Sequence, residues 1–158
     1  GVRYGNRVEG FNAEEMMINT RTAGFGDEVK ARIMLGTFAL SAGYYDAYYG
    51  KAQKLRSLVA QEFATAYQDF DLLISPTTSS TAFRLGELVD DPMAMYACDV
   101  FTIPSNLSGE PAVSVPYGTG DDGLPVGVQV LAPALDEQLM FRAAQVLENA
   151  ANELGGAR

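Results

Sequence analysis

Ala112-Val113-Ser114-Val115-Pro116 and Val126-Gly127-Val128-Gln129-Val130-Leu131 are short apolar runs, with Gly120-Asp121-Asp122-Gly123 between them. Runs of this length, rich in β-branched residues and bounded by turn signals, predict strands. The intervening glycines and aspartates tolerate the positive φ of a tight turn. The pair reads as a hairpin, or as two neighbouring strands of a larger sheet. Phe70-Asp71-Leu72-Leu73-Ile74-Ser75 is a third such run, stopped by Pro76. All three are of the kind buried on both faces. So few strands give the surrounding helices little to cover. The expectation is an α/β fold whose sheet is completed by strands from a missing N-terminal part.

Outward from the hairpin, Asp136 caps a helix running to about Leu154, with Leu139, Ala143, Val146, Leu147 and Ala150 facing inward and Gly155-Gly156 ending it. Toward the N-terminus, Ile103-Pro104-Ser105-Asn106-Leu107 predicts a short helical turn before Gly109, and Asp91-Pro92 predicts a cap followed by proline at the first helical position. Leu55, Leu58, Val59, Phe63 and Ala66 repeat at three and four within a long helical stretch from about Tyr44 to Tyr67. Tyr44, Tyr45, Tyr48 and Tyr49 crowd its start, either as the aromatic wall of a pocket or, the plainer reading, as amphipathic packing with hydroxyls reaching water. Asp27 opens a helix in which Val29, Ile33 and Leu35–Phe38 form the apolar stripe and Lys30 and Arg32 lie off it. Asn12 with Glu15 makes a capping-box signature for a helix over about 12–22, ended by Gly24-Phe25-Gly26. No internal repeat, linker or low-complexity tract interrupts the chain.

Composition narrows the chemistry. Of 158 residues, 47% are hydrophobic, so intrinsic disorder is not expected, and no apolar run approaches the length that spans a bilayer. The complete absence of histidine removes every mechanism built on an imidazole. A lone cysteine, Cys98, leaves no intrachain disulfide framework and fits a reducing compartment. Net charge is -9 and the 11 basic residues are scattered, which argues against direct nucleic-acid binding. The chain opens Gly1-Val2-Arg3-Tyr4-Gly5 without methionine, as a processed or tagged terminus does, and as a piece of a longer protein does.

Nucleophilic catalysis needs an activated side chain beside a base. Cys98 has no histidine to polarise it and reads as a small core residue. Ser79-Ser80 and Ser108-Gly109 lack a glycine-rich nucleophile loop, and Asp90-Asp91 before Pro92 is better explained by helix capping than by metal binding. No Walker loop, dinucleotide fingerprint or zinc spacing occurs. The residues alone give no complete catalytic apparatus, although they could contribute binding groups to one.

The stretch from Gly24-Phe25-Gly26-Asp27-Glu28-Val29-Lys30-Ala31-Arg32 through Ser41-Ala42-Gly43-Tyr44-Tyr45-Asp46-Ala47-Tyr48-Tyr49 is more specific. Together with Arg3-Tyr4-Gly5, Asp71–Thr77, Asp90-Asp91-Pro92, Met95-Tyr96-Ala97-Cys98-Asp99 and Pro125–Gln129, it resembles the glutaminase (A-type) subunits of glutamyl-tRNA(Gln)/aspartyl-tRNA(Asn) amidotransferases, a branch of the amidase-signature enzymes. The resemblance covers essentially the whole chain and only the C-terminal third or so of the family's length. It implies that residues 1–158 are the C-terminal portion of one amidase-signature domain, a mixed β-sheet flanked by helices. The family's Ser-Ser-Lys machinery lies upstream of Arg3, and Ser79, Ser80 and Lys30 do not match it, so no catalytic residue carries over.

Two binding residues do. Arg32 matches the arginine that holds the α-carboxylate of glutamine, and Asp99 the aspartate that receives its α-ammonium; a guanidinium fork and a carboxylate suit those groups. Spacing alone would make them a surface arginine and a capping aspartate. The resemblance further implies a whole enzyme that releases ammonia from glutamine, and partner subunits B and C. It also implies that the partner subunit uses ATP and Mg²⁺ and holds the tRNA, that this chain binds no cofactor or metal, and a cytoplasmic location. Competing readings are another amidase-signature hydrolase of simple amides, which has no use for the Arg32–Asp99 charges, and a catalytically silent interaction module. Exposed apolar edges would favour self-association of the chain.

Overall fold

A computed structural model of the chain describes residues 5–153; the expectations for Arg3-Tyr4, Leu154 and Gly155-Gly156 lie outside them. The chain divides into two compact units, Gly1–Gln53 and Lys54–Arg158, each described by itself.

In the first unit, α1 (Ala13–Gly24) begins as its sequence predicts. Asn12 accepts from the Glu15 N–H at 2.9 Å, and the Glu15 carboxylate reaches back to the Phe11 N–H at 2.6 Å. Thr20, one turn before the end of α1, is buried because its hydroxyl accepts from the Val8 N–H and donates to the Val8 carbonyl, tying the preceding segment to the helix. The next helix, α2 (Asp27–Ala39), places Asp27 and Glu28 in its first turn, where acids complement the helix dipole. It buries no residue: Val29, Ile33, Met34, Leu35 and Phe38 are all between 45% and 72% exposed. A helix of 13 residues is marginal without tertiary packing, so this stripe needs a cover. Tyr45–Tyr49 then form a π-helical turn that leads into α3 (Gly50–Ala66). There the Tyr44 ring packs on Phe38 at 4.4 Å and Tyr45 on Tyr49 at 5.0 Å.

The second unit is built on three antiparallel strands in the order β1 (Leu73–Pro76), β3 (Pro125–Leu131), β2 (Ala112–Thr119). β2 and β3 are the hairpin expected from the sequence, with Gly123 at φ 76° in its turn. The turn is fixed further by Asp122, which accepts from the Thr81 hydroxyl at 2.5 Å and the Leu124 N–H at 3.1 Å. These donors, the hydroxyl first, hold its carboxyl below the usual carboxylate range. Pro76 costs no ladder bond, because β1 is an edge strand.

Across the sheet lies α6 (Glu137–Glu153), packed on β2 and β3. Val130, Ala132 and Met140 are its buried centre, with Leu72, Val113, Ala143 and Leu147 around them. The inward face is therefore Met140, Ala143, Ala144, Leu147 and Ala151, slightly rotated from the predicted one. Val146, expected to face in, is 66% exposed because the neighbouring turn positions 143, 144 and 147 meet the sheet. The expectation of strands buried on both faces is likewise corrected. It holds for Gln129–Leu131 of the central strand, whereas β1 alternates and leaves Ile74 60% exposed, since the helix packed closely on the sheet, α6, covers β2 and β3.

Two short helices complete this unit. α4 (Pro92–Ala97) has Asp91 as its cap, accepting from the Ala94 N–H at 3.0 Å. α5 (Ile103–Ser108) ends at Gly109, and Arg56 Nε donates to the Leu107 carbonyl at 2.7 Å.

Candidate functional site

Arg32 sits in the middle of α2, one turn beyond Glu28, and its Nε donates to Glu28 Oε1 at 2.7 Å. Both side chains are more than 60% exposed, so the pair adds little to stability, about 0.2–1 kcal/mol. Its effect is geometric, because a carboxylate on Nε fixes the rotation of the guanidinium plane. Lys30, nearby on the helix, lies 3.8 Å from Asp27. The same unit contains a cavity of about 600 Å³ lined by Arg21, Thr22, Phe25, Lys30, Ile33 and Met34. Arg32 does not line it, and neither does any tyrosine of the 44–49 cluster.

Asp99 belongs to the other unit, in the turn between α4 and α5. Its carbonyl accepts from the Thr102 and Ile103 N–H groups, each at 3.0 Å, and from the Thr102 hydroxyl at 3.1 Å. The turn is also anchored to the sheet. Gln129, 3% exposed, donates from Nε2 to the Phe101 carbonyl at 2.7 Å and to Ser75 Oγ at 2.8 Å. The Asp99 carboxylate is exposed and makes no hydrogen bond or ion pair with another described residue.

The residues read from sequence as poor nucleophiles have ordinary structural partners. Cys98 donates from Sγ to the Ala94 carbonyl at 3.5 Å, and Asp91 is spent on its cap. Ser80 offers its carbonyl to the Thr78 hydroxyl at 2.7 Å. Among the described residues no group of three or more His, Cys, Asp or Glu side chains converges as a metal site would, and no helix is long and apolar enough to cross a membrane.

Sequence reasoning missed one polar pair, Tyr67 and Glu110. The Tyr67 hydroxyl and Glu110 Oε2 are buried without hydrogen-bond partners among the described residues. Burial first, and the Glu110 charge second, push the tyrosine pKa from 10.0 up to about 12. A carboxylate between Gly109 and Pro111, and a glutamine inside the Val128–Leu131 run, were the signals that could have pointed there.

This pair has a measurable consequence. The folded state holds its proton more tightly than the unfolded chain, so the stabilisation is complete below pH 10 and is lost as pH rises toward 12. A tyrosinate absorbance titration of the folded chain should show a component near pH 12 that Tyr67→Phe removes. An unchanged titration in that variant would contradict the assignment.

The amidase family model matches residues 3–141. The chain belongs to the amidase family. Over 152 residues it is 53% identical to the A subunit of the glutamyl-tRNA(Gln) amidotransferase of Parvibaculum lavamentivorans, covering 96% of this chain and 31% of that protein. The amidase chain thus spans about a third of the length of the curated relatives it matches. Among solved structures it is similar to the A subunit of the glutamyl-tRNA(Gln) amidotransferase from Thermotoga maritima, with a TM-score of 0.61 and 45% identity, covering 87% of this chain and 29% of that one. It is also similar to a bacterial aryl acylamidase of the amidase-signature enzymes, with a TM-score of 0.63 and 25% identity, covering 86% of this chain and 28% of that one. The expected fold class, helices with a sheet in the fold of the amidase-signature enzymes, is therefore correct, and the sheet among the described residues is antiparallel.

Proposed function

We propose that this amidase chain is the C-terminal, glutamine-binding portion of the glutaminase subunit of a glutamyl-tRNA(Gln) amidotransferase. The observation that carries the reading is the 53% identity to a protein of that name across 96% of the chain. In this reading Arg32 pairs with the α-carboxylate of glutamine and Asp99 with its α-ammonium. Glu28 supports the first role by orienting the guanidinium at 2.7 Å. The exposed, unpaired carboxylate of Asp99, on a turn tied down by its own carbonyl and by Gln129, supports the second.

The serine nucleophile and its lysine belong to the remaining two thirds of the domain, which also covers the apolar stripe of α2 in this reading. Ammonia released there passes to a partner subunit that carries out ATP- and Mg²⁺-dependent amidation of Glu-tRNA(Gln), or of Asp-tRNA(Asn), in the cytoplasm. This chain itself binds no metal or cofactor in the proposal. With its net charge of -9, it leaves the tRNA to the partner.

The purified chain alone should release no glutamate from glutamine in a coupled glutaminase assay. Turnover that follows this chain through purification would overturn the reading, because it would require a nucleophile and base among residues that supply neither.

A further inference from the structure

The Lys54–Arg158 unit contains a polar cavity of about 280 Å³ whose lining includes neither Asp99 nor any residue of the first unit. One wall is formed by the Thr77 and Ser114 hydroxyls, 2.6 Å apart. They meet beside Gly127, where a Cβ would stand 2.8 Å from Ser114 Oγ and 3.0 Å from Thr77 Oγ1, so no other residue fits without displacing them. One hydroxyl donates to the other, which leaves this wall a single donor.

On the remaining walls the side-chain donors are engaged except for one N–H of Asn106. Ser105 Oγ donates to the Thr102 carbonyl at 3.0 Å, and Asn106 Nδ2 donates to the same carbonyl at 2.8 Å. Gln129 Nε2 is committed to the Phe101 carbonyl and Ser75 Oγ. Those carbonyls fix both amides, since turning either over would set oxygen against oxygen. Asn106 Oδ1 and Gln129 Oε1 are left as acceptors without partners among the described residues, beside the Glu110 carboxylate. Glu110 Oε2 is buried without a hydrogen-bond partner among the described residues; a buried, unpartnered acceptor is costly, and its negative charge selects a cation.

We propose that this cavity binds a small primary ammonium ion, held by Glu110, Asn106 and Gln129. An ammonium group brings three or more N–H donors for the open acceptors and a positive charge for Glu110, and no cation lines the cavity. A quaternary ammonium brings the same charge and no donor, so it is rejected. Ammonium itself and a primary alkylammonium share the recognised chemistry, and size separates them. The proposal does not rest on the glutamine-binding roles of Arg32 and Asp99.

The test is a ¹⁵N-labelled sample of the chain titrated, at constant ionic strength, with ammonium, ethylammonium or tetramethylammonium chloride. Saturable shifts are expected for the Gln129 side-chain amide and the backbone amides of 105–114 with one or both of the first two salts, and none with the third. The stronger response of the two identifies the source that fits the cavity. Glu110→Gln should weaken the response at least about tenfold, whereas Glu110→Asp keeps the charge and most of the binding. Equal shifts with tetramethylammonium, shifts that never saturate, or unaltered affinity in a folded Glu110→Gln chain would overturn the proposal. Should Glu110→Gln unfold, the contrast among the three salts on the unaltered chain decides.

Discussion

Val130→Asp is expected to abolish the folded state of the Lys54–Arg158 unit. Val130 is 0% exposed and forms the core with Ala132 and Met140 beneath α6. A carboxylate there has no cation among the packed residues, and burying it unpaired costs several kcal/mol or more. The net stability of a domain is only about 5–15 kcal/mol. Val130→Ala supplies the control: it removes two methyl groups without adding charge and should cost about 1–3 kcal/mol, lowering the urea midpoint while leaving a native spectrum. Amide dispersion in two-dimensional NMR and far-UV circular dichroism through a urea series give the answer. A dispersed spectrum and an unshifted midpoint for Val130→Asp would mean that α6 does not seal the sheet.

The second large effect concerns Arg32 in a complete protein, this chain joined to the remainder of its amidase domain. Arg32→Ala should lower kcat/KM for glutamine by roughly 2–4 kcal/mol equivalent, about 30- to 900-fold, the usual loss when one partner of an enclosed charge pair is removed. Hydrolysis of a simple amide without α-substituents should be unaffected, because such a substrate offers the guanidinium nothing. Arg32→Lys should recover only part of the loss, since an ammonium cannot present a planar fork to a carboxylate. An unchanged glutamine profile would remove Arg32 from the site, and equal losses on both substrates would assign it a structural role.

Much of the architecture was legible because it is local. The Asn12–Glu15 cap, the Asp91 cap before Pro92 and the hairpin across Gly120–Gly123 are each decided by residues within a few positions of one another, and all three form as read. The rotation of α6 was not legible. Its hydrophobic period admits Val146 as well as Ala144, and the choice is made by which residues meet Val113 and Val130 across space. Nor could the chain announce that Gln129 would clamp the Phe101 turn, because that bond spans 28 positions. Arg32 and Asp99 stood out only through family resemblance; exposed charges on helices and turns are too common to be recognised by pattern alone. Glu110 and Tyr67 were invisible for the opposite reason, being unremarkable until burial leaves their oxygens without partners.

If Arg32 holds glutamine as proposed, the bare flank of α2 ties recognition to assembly. A ribbon that hides none of its own oily residues keeps its shape only while something else shelters it, and Arg32 rides on that ribbon. In that role, until the shelter arrives, the arginine would be a fraying charge rather than half of a grip. An enzyme arranged this way would acquire its appetite for glutamine at the moment its pieces come together, and an orphaned piece would not sequester the amino acid.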